Sequence, residues 1–214
     1  MKKHLAICTA VLLCIALAGC QAQQSGAEAA ASEDTAAMQL SPMTLSEDAA
    51  RVLDLAGITG SEFVPYEYQA GDTLRCITIQ RYILNDALTW EAADSGFYQT
   101  YNDTPLAAGG YLALTGQSTE GYAIRFSAPG IGDGVNPPAL PEDLPAAAAC
   151  GVGAQQQAVP IVYDEEIPLL VRTYRDKSEL YVYDAARDFA DPSRFTGDLF
   201  TEAYTITFSD EMPA

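Results

Sequence analysis

Alternating apolar and polar residues run through much of the chain after residue 73 and predict a protein built mainly from β-strands. The clearest stretch has Tyr122, Ile124 and Phe126 on one face, separated by Ala123 and polar residues on the other. A half-buried strand requires this period of two. Residues 111–127 as a whole therefore predict a β-hairpin.

Further strands follow from the same pattern and from runs of β-branched and aromatic residues. They are predicted at residues 73–84, 87–91, 159–163, 167–174, 180–183 and 202–208. The first of these carries apolar residues on both faces, which indicates a central strand that is covered on both sides. Asn85 and Asp86 favour a turn between it and the next strand.

Helical spacing is confined to two places. Residues 45–56 repeat apolar positions at helical intervals, which predicts a helix. Thr44 and Glu47 at its start match a capping box. Asp184 is a predicted cap for a short helical turn over residues 185–189, which Pro192 ends. About eight strands with one N-terminal helix predict a mostly β fold, an antiparallel β-sandwich.

Residues 128–157 break the pattern with five prolines, several glycines and an alanine run. A stretch of this length without periodicity is unusual inside a compact domain. The sequence favours a disordered excursion from the sandwich, and a functional loop is the alternative.

The first 20 residues have a different composition from the rest. Lys2 and Lys3 precede an apolar run that ends in small residues before Cys20, which is the build of a secretory signal. The tetrad Leu17-Ala18-Gly19-Cys20 resembles the lipobox of bacterial lipoproteins. That resemblance implies cleavage after Gly19 and a diacylglycerol on the Cys20 sulfur, and hence a palmitate-bearing protein anchored in the cell membrane on its extracytoplasmic face.

Three segments follow from this prediction. Residues 1–19 form the signal peptide, residues 20–43 carry the lipidated cysteine and a polar, flexible tether, and residues 44–214 form the β-sandwich domain. The membrane, reached through the lipid anchor, is the first predicted partner.

The chain carries 29 acidic and 11 basic residues, a formal charge of −18, and the predicted signal removes two of the lysines. Such an acidic surface repels nucleic acid, which we exclude as a partner. An unknown envelope protein or a glycan remains as the second partner.

The single histidine, His4, lies inside the predicted signal. Catalytic triads with histidine and histidine-containing zinc sites are therefore excluded from the exported domain. Beyond Cys20, only Cys76 and Cys150 remain as cysteines, and export permits a disulfide between them that the sequence leaves open.

Carboxylates are the remaining acid and base groups. In an extended segment, Asp164 and Glu166 would lie on one face roughly 6.5 to 7 Å apart, near the separation used in glycoside hydrolysis, although a solvated turn is the simpler interpretation. Calcium is a further hypothesis for the aspartates of one irregular segment, which contains no calcium-loop motif. These are Asp184, Asp188, Asp191 and Asp198. We predict no catalytic residue, metal or cofactor.

Aromatic residues give one more candidate site. Tyr174, Tyr181, Tyr183 and Trp90 could form a ligand surface, although strand-forming core positions explain them as well. The sequence thus favours a lipid-anchored, non-catalytic binding or interaction module at the bacterial cell envelope. The alternatives are a carboxylate-dependent enzyme acting on glycans and a purely structural envelope component.

Overall fold

Two antiparallel β-sheets packed face to face form the protein, as described by a computed structural model. The structure describes residues 37–58, 63–117, 120–132, 134–176 and 181–213. The strands are β1 (Gln39–Pro42), β2 (Phe63–Gln69), β3 (Cys76–Leu84), β4 (Trp90–Ala92), β5 (Tyr98–Tyr101), β6 (Gly109–Gln117), β7 (Glu120–Ser127), β8 (Gly134–Val135), β9 (Ala149–Ala154), β10 (Val159–Pro160), β11 (Glu166–Arg175) and β12 (Phe200–Ser209). The helices are α1 (Glu47–Leu55), α2 (Ala185–Ala190) and a 3-10 helix (Pro192–Phe195).

The first sheet has the order β10, β1, β2, β6, β7, β8, and the second has the order β4, β3, β12, β11, β9, with β5 also pairing with β3. The predicted antiparallel β-sandwich is thereby confirmed. The predicted hairpin is present as β6 and β7, and the predicted central strand is β3, which lies between β12 and the pair β4 and β5.

The main core fills the space between the sheets. On β12, Tyr204, Ile206 and Phe208 point inward, and on β3, Ile77 and Ile79 lie opposite the last two of them. The first sheet contributes buried side chains from β1, β2, β6 and β7, which are Leu40, Tyr66, Tyr68, Leu112, Leu114, Tyr122 and Ile124. Strand alternation predicts the inward side of β3, β7 and β12. Strand β1, which falls within the predicted tether, and β2 were not predicted.

A second, smaller core covers the outer face of the second sheet. Val171 and Ala203 of the sheet pack against Tyr183 and Phe195, with Trp90 at the margin. Tyr183 and Phe195 come from the segment that holds α2 and the 3-10 helix, whereas Trp90 lies on β4. This segment forms a third layer, which explains why β3 is apolar on both faces.

The predicted helices are present with shifted ends. Helix α1 begins after Ser46, whose hydroxyl accepts a hydrogen bond from the Ala49 amide, so Ser46 and not Thr44 is the cap. Asp184 caps α2 through the Arg187 amide as predicted. Among the described residues, no helix is long and apolar enough to cross a membrane.

The prediction of a disordered excursion over residues 128–157 is wrong. The segment contains β8 and β9, and β9 pairs with β11 over six residues. Tyr183 packs on the outer face of Gly151 and Gly153 so closely that a Cβ at either glycine would lie within 2.5 Å of it. Glycine and alanine are poor strand formers in isolation, and this packing supplies what the local sequence lacks.

Two further strand predictions need correction. Only Val159 and Pro160 of the predicted strand 159–163 are extended and paired, and Tyr181 to Tyr183 form no strand. The predicted lipobox, the predicted signal peptide and most of the predicted tether, as well as residue 180, lie outside the described residues.

Candidate functional site

Helix α1 leaves an apolar cleft between itself and β2. None of the residues of α1 is buried, and Leu55 is 84 % exposed. The cleft has a volume of about 340 Å³. Leu45, Leu53 and Ile58 line one wall, and Phe63 and Pro65 line the other. The helix thus shields an apolar space without filling it.

A second cleft adjoins the first and leads to β9. It has a volume of about 260 Å³ and shares Met43, Phe63 and Pro65 with the first cleft. Val152 and Ala154 of β9 form its far wall. We call the two clefts together the seam groove, because they lie where the end of β1 and β2 in one sheet meets the edge strand β9 of the other.

Strand β9 presents an open edge beside the groove. In the described part of the chain it pairs with β11 on one side and with no strand on the other. The Gln155 amide donates to the Leu169 carbonyl, so backbone groups of odd-numbered residues face β11. The amide and carbonyl groups of Cys150 and Val152, and the Ala154 amide, therefore face away from the sheet.

The other edge strands are shorter than β9. Strands β8 and β10 have two residues each, β4 has three and β5 has four, whereas β9 has six. Strand β10 also ends in proline, a common means of blocking edge pairing. Strand β9 contains neither proline nor a charged residue. Within the described ranges it is the edge best suited to accept another strand.

Two glutamines mark polar positions in the groove. Gln156 donates from its side chain to the Ala154 carbonyl at 3.3 Å, a long bond that covers one outward acceptor of β9. Gln155 is only 7 % exposed, and its Oε1 accepts no hydrogen bond from any described residue. An unsatisfied buried acceptor costs about 1–3 kcal/mol.

A buried cluster of three charges lies deeper in the sandwich. Glu202 of β12 is fully buried and accepts a hydrogen bond from Arg81 Nε at 2.7 Å and one from Arg172 Nε at 2.8 Å. Both arginines are 2 % exposed. The guanidinium of Arg172 lies 4.7 Å from the Tyr122 ring centroid and 5.3 Å from that of Tyr174.

This charge cluster is closed to ligands and fixes the structure. It joins β3, β12 and β11, and the Tyr204 hydroxyl of β12 accepts a hydrogen bond from the Tyr122 amide of the facing sheet. Glu202 has no exposed surface and its carboxylate is held by both guanidinium groups, so a substrate cannot reach it. Its role is to set the register of the strands and the pairing of the two sheets.

Neither carboxylate of the predicted acid pair faces the seam groove. Glu166 accepts hydrogen bonds from the Tyr82 hydroxyl at 2.8 Å and the Thr205 hydroxyl at 2.6 Å. These contacts place it on the outer face of the second sheet. Asp164 lies in the preceding turn with a φ of 64°. The solvated-turn interpretation explains Asp164, and hydrogen bonding within the sheet explains Glu166.

The four aspartates of the calcium hypothesis are each engaged in protein contacts. Asp184 and Asp191 cap α2 and the 3-10 helix, and Asp198 binds Arg175. Asp188 is fully buried. Burial by itself would raise the pKa of Asp188, but hydrogen bonds from Arg187, the Asp184 amide and Arg194 outweigh it and hold that pKa below its usual range. No group of three metal-ligating side chains occurs among the described residues.

The predicted aromatic surface is divided between the two faces of the second sheet. Tyr174 is 3 % exposed on the inner face beside Arg172. Tyr183 stacks on Phe195 in the outer core, and Trp90 stacks on Phe189 and donates to its carbonyl. Of the four aromatic residues, Tyr181 has the largest exposed fraction, 45 %. They therefore do not form one ligand surface.

The two cysteines do not pair. Cys76 on β3 and Cys150 on β9 are free thiols, and β12 and β11 lie between their strands. Three strand spacings separate them by about 14 Å, twice the distance that a disulfide can bridge. They also lie at opposite ends of the sheet. Cys76 pairs with Ser209 at the end of β12, whereas Cys150 pairs with Tyr174, which in turn pairs with Phe200 at the start of β12.

One wall of the groove could be predicted from the sequence. The helical stripe with Leu45 and Leu53 predicted a helix at the edge of the domain, and in the structure these two residues line the groove. The contribution of β9 had no local signal, because its strand depends on Tyr183, about 30 residues further along the chain. Comparison of the chain with protein-family models, with curated proteins and with solved structures found no match.

Proposed function

We propose that this chain is a lipid-anchored, extracytoplasmic lipoprotein that acts as a non-catalytic binding module at the bacterial cell envelope. The likeness of Leu17-Ala18-Gly19-Cys20 to a lipobox supports the anchor. The polar stretch that follows supports a tether between the anchor and the sandwich. A domain held in this way needs no catalytic group to function, only a surface that binds a partner.

The observation that carries the binding role is the seam groove. It combines an apolar lining from α1 and β2 with an unpaired strand edge at β9. Apolar walls supply affinity, and a few directed polar groups supply specificity, which is the usual composition of a binding site. Among the described residues, Asp54 is the one charged residue that lines the groove.

The positions of the acidic side chains favour binding over catalysis. Glu202 is enclosed by two arginines, Asp198 binds Arg175, and Glu166 accepts two hydroxyl hydrogen bonds. A catalytic pair needs one carboxyl group placed to protonate the leaving group and a second on the opposite side of the bond. The contacts of these carboxylates instead stabilise the sheets.

The experiment is a binding screen of the full-length chain in detergent micelles against glycan and peptide arrays, with turnover measured on the same arrays. Leu53→Lys puts a charge into the groove, and Leu55→Lys makes the same change at an 84 % exposed position of the same helix. We expect ligand retention that Leu53→Lys reduces at least tenfold and that Leu55→Lys leaves within twofold.

Two results would overturn the proposal. One is retention that the two leucine variants affect equally, because the groove would then not be the binding site. The other is turnover of a glycan that Asp164→Asn or Glu166→Gln abolishes, because the chain would then be an enzyme of the carboxylate type.

A further inference from the structure

We propose that the seam groove binds an extended, basic peptide that adds to β9 as a further strand of the second sheet. This inference rests on the proposed binding function and names the class of ligand. It follows from three properties of the groove: its open strand edge, its apolar lining and the sign of its charge.

The open edge supplies main-chain hydrogen bonds. Cys150 and Val152 direct both backbone groups away from β11, and the Ala154 amide does the same. An added strand would pair with these groups and displace the Gln156 side chain from the Ala154 carbonyl. Strand addition at a sheet edge is an established mode of peptide recognition that uses the backbone of the ligand for affinity.

The walls of the groove define which side chains the peptide carries. A strand beside β9 alternates its side chains between two faces. One face meets Met43, Phe63 and Val152 and therefore requires apolar residues. The other face meets solvent and the outer side of the sheet and tolerates polar residues. The ligand is thus an alternating peptide with one apolar face.

Charge selects a basic peptide. Within the described part of the chain, no lysine or arginine lines either cleft. Asp54 lies at the groove, and α1 begins with Glu47 and Asp48. The whole chain has a formal charge of −18. This field attracts cations to the surface and raises the association rate of a basic partner, whereas an acidic peptide is repelled.

The test uses a ten-residue peptide of alternating valine and lysine, blocked at both ends, with the full-length chain in detergent micelles. In two further peptides, either every valine amide or every lysine amide is N-methylated. Because alternate residues of a strand direct their amides to opposite edges, strand addition predicts that one methylated peptide loses binding and the other keeps it. We expect a difference of at least tenfold between the two.

Protein variants give the matching change on the other side of the contact. Ala154→Pro removes an outward amide and leaves the bonds to β11, which edge positions tolerate, while Ala154→Val keeps the amide and adds bulk. We expect Ala154→Pro to weaken binding at least tenfold and Ala154→Val to weaken it less than threefold. A peptide with glutamate in place of lysine is expected to bind at least tenfold more weakly at low salt.

Equal binding, or equal loss of binding, by the two methylated peptides would refute strand addition, as would no binding of the parent peptide. The proposed function would still stand after such a result if the arrays yield another ligand, for example a glycan, whose binding Leu53→Lys abolishes. Loss of the Leu53 effect would refute the groove as a binding site altogether.

Discussion

Glu202 and Arg172 face each other directly across β12 and β11, and Arg172 Nε donates to Glu202 Oε1 at 2.8 Å in a fully buried position. The same carboxylate accepts from Arg81 on the other side of β12. Such a cluster costs a large desolvation free energy that only complete pairing offsets. It makes the arrangement of β3, β12 and β11 specific, because a shift of register would leave charges buried without partners.

Glu202→Gln is therefore expected to lower the free energy of unfolding by about 3–5 kcal/mol, because it leaves two buried guanidinium groups without a counter-charge. Denaturant unfolding followed by circular dichroism measures the change. Glu67→Gln is the matched control on an exposed strand position and is expected to change stability by about 0.5 kcal/mol or less. A loss at Glu202 no larger than that at Glu67 would contradict the cluster.

Two tyrosines of β2 offer a paired test of hydrogen bonding between the sheets. The Tyr66 hydroxyl donates to the Leu169 carbonyl at 2.5 Å and accepts from the Gln155 amide, whereas the Tyr68 hydroxyl has no hydrogen-bond partner among the described residues. Tyr66→Phe is expected to destabilise the protein by about 1–3 kcal/mol, and Tyr68→Phe to be neutral or stabilising. Thermal unfolding of both variants decides, and a larger loss at Tyr68 would show that the bonds are assigned wrongly.

Alkaline pH is expected to destabilise the fold. Burial raises the pKa of Tyr68 to about 12, and burial together with the neighbouring Glu166 raises the pKa of Tyr82 to about 12. Because an unfolded tyrosine ionises near pH 10, the folded state holds these protons more tightly. The stabilisation is complete below pH 10 and is lost as the pH rises towards 12.

The unfolding free energy should therefore fall steadily above pH 10, and tyrosinate absorbance should rise with unfolding. Tyr82→Phe should make this fall less steep. Full ionisation of all tyrosines near pH 10 in a chain that remains folded would contradict the buried positions.

The predicted anchor is open to a direct test in bacterial cells. Cys20→Ala removes the sulfur that the lipobox resemblance marks for lipidation, so we expect a chain that takes up no palmitate label and either remains unprocessed or becomes soluble. Cys76→Ala serves as the control, because Cys76 is buried in β3 and its variant should keep the label. A Cys20→Ala chain that is still labelled and cut after Gly19 would refute the anchor.

The parts of the fold that the sequence predicts are those in which a strand carries its own alternation. Residues such as Ile206 and Phe208 point inward as their spacing requires. Arg81 and Arg172 escaped prediction because charged residues are ordinarily assigned to the surface, and only the register of three strands brings them to Glu202. Tyr204 and Glu202 do share one alternating face in the sequence, so the acid could have been placed inside from its spacing.

The groove was beyond prediction for a different reason. Strand β9 is made of alanine, cysteine, glycine and valine, and its extension depends on contacts with Tyr183 and β11 that no local pattern encodes. The predicted aromatic surface failed in the opposite way. Tyr174 and Tyr183 stand out in the sequence as candidate ligand contacts, but both are buried and serve in packing. Local sequence patterns thus predicted the central strands but not the edge strand β9.

Residue-resolved amide hydrogen exchange of the full chain, with and without the valine–lysine peptide, tests the binding account most directly. In the free chain, the amides of Gly151 and Gly153 should exchange slowly, because they face β11, and those of Cys150 and Val152 should exchange rapidly. Saturating peptide should slow exchange at Cys150 and Val152. If these two amides stay fast at every peptide concentration, or are already protected in the free chain, β9 is not the site at which a partner binds.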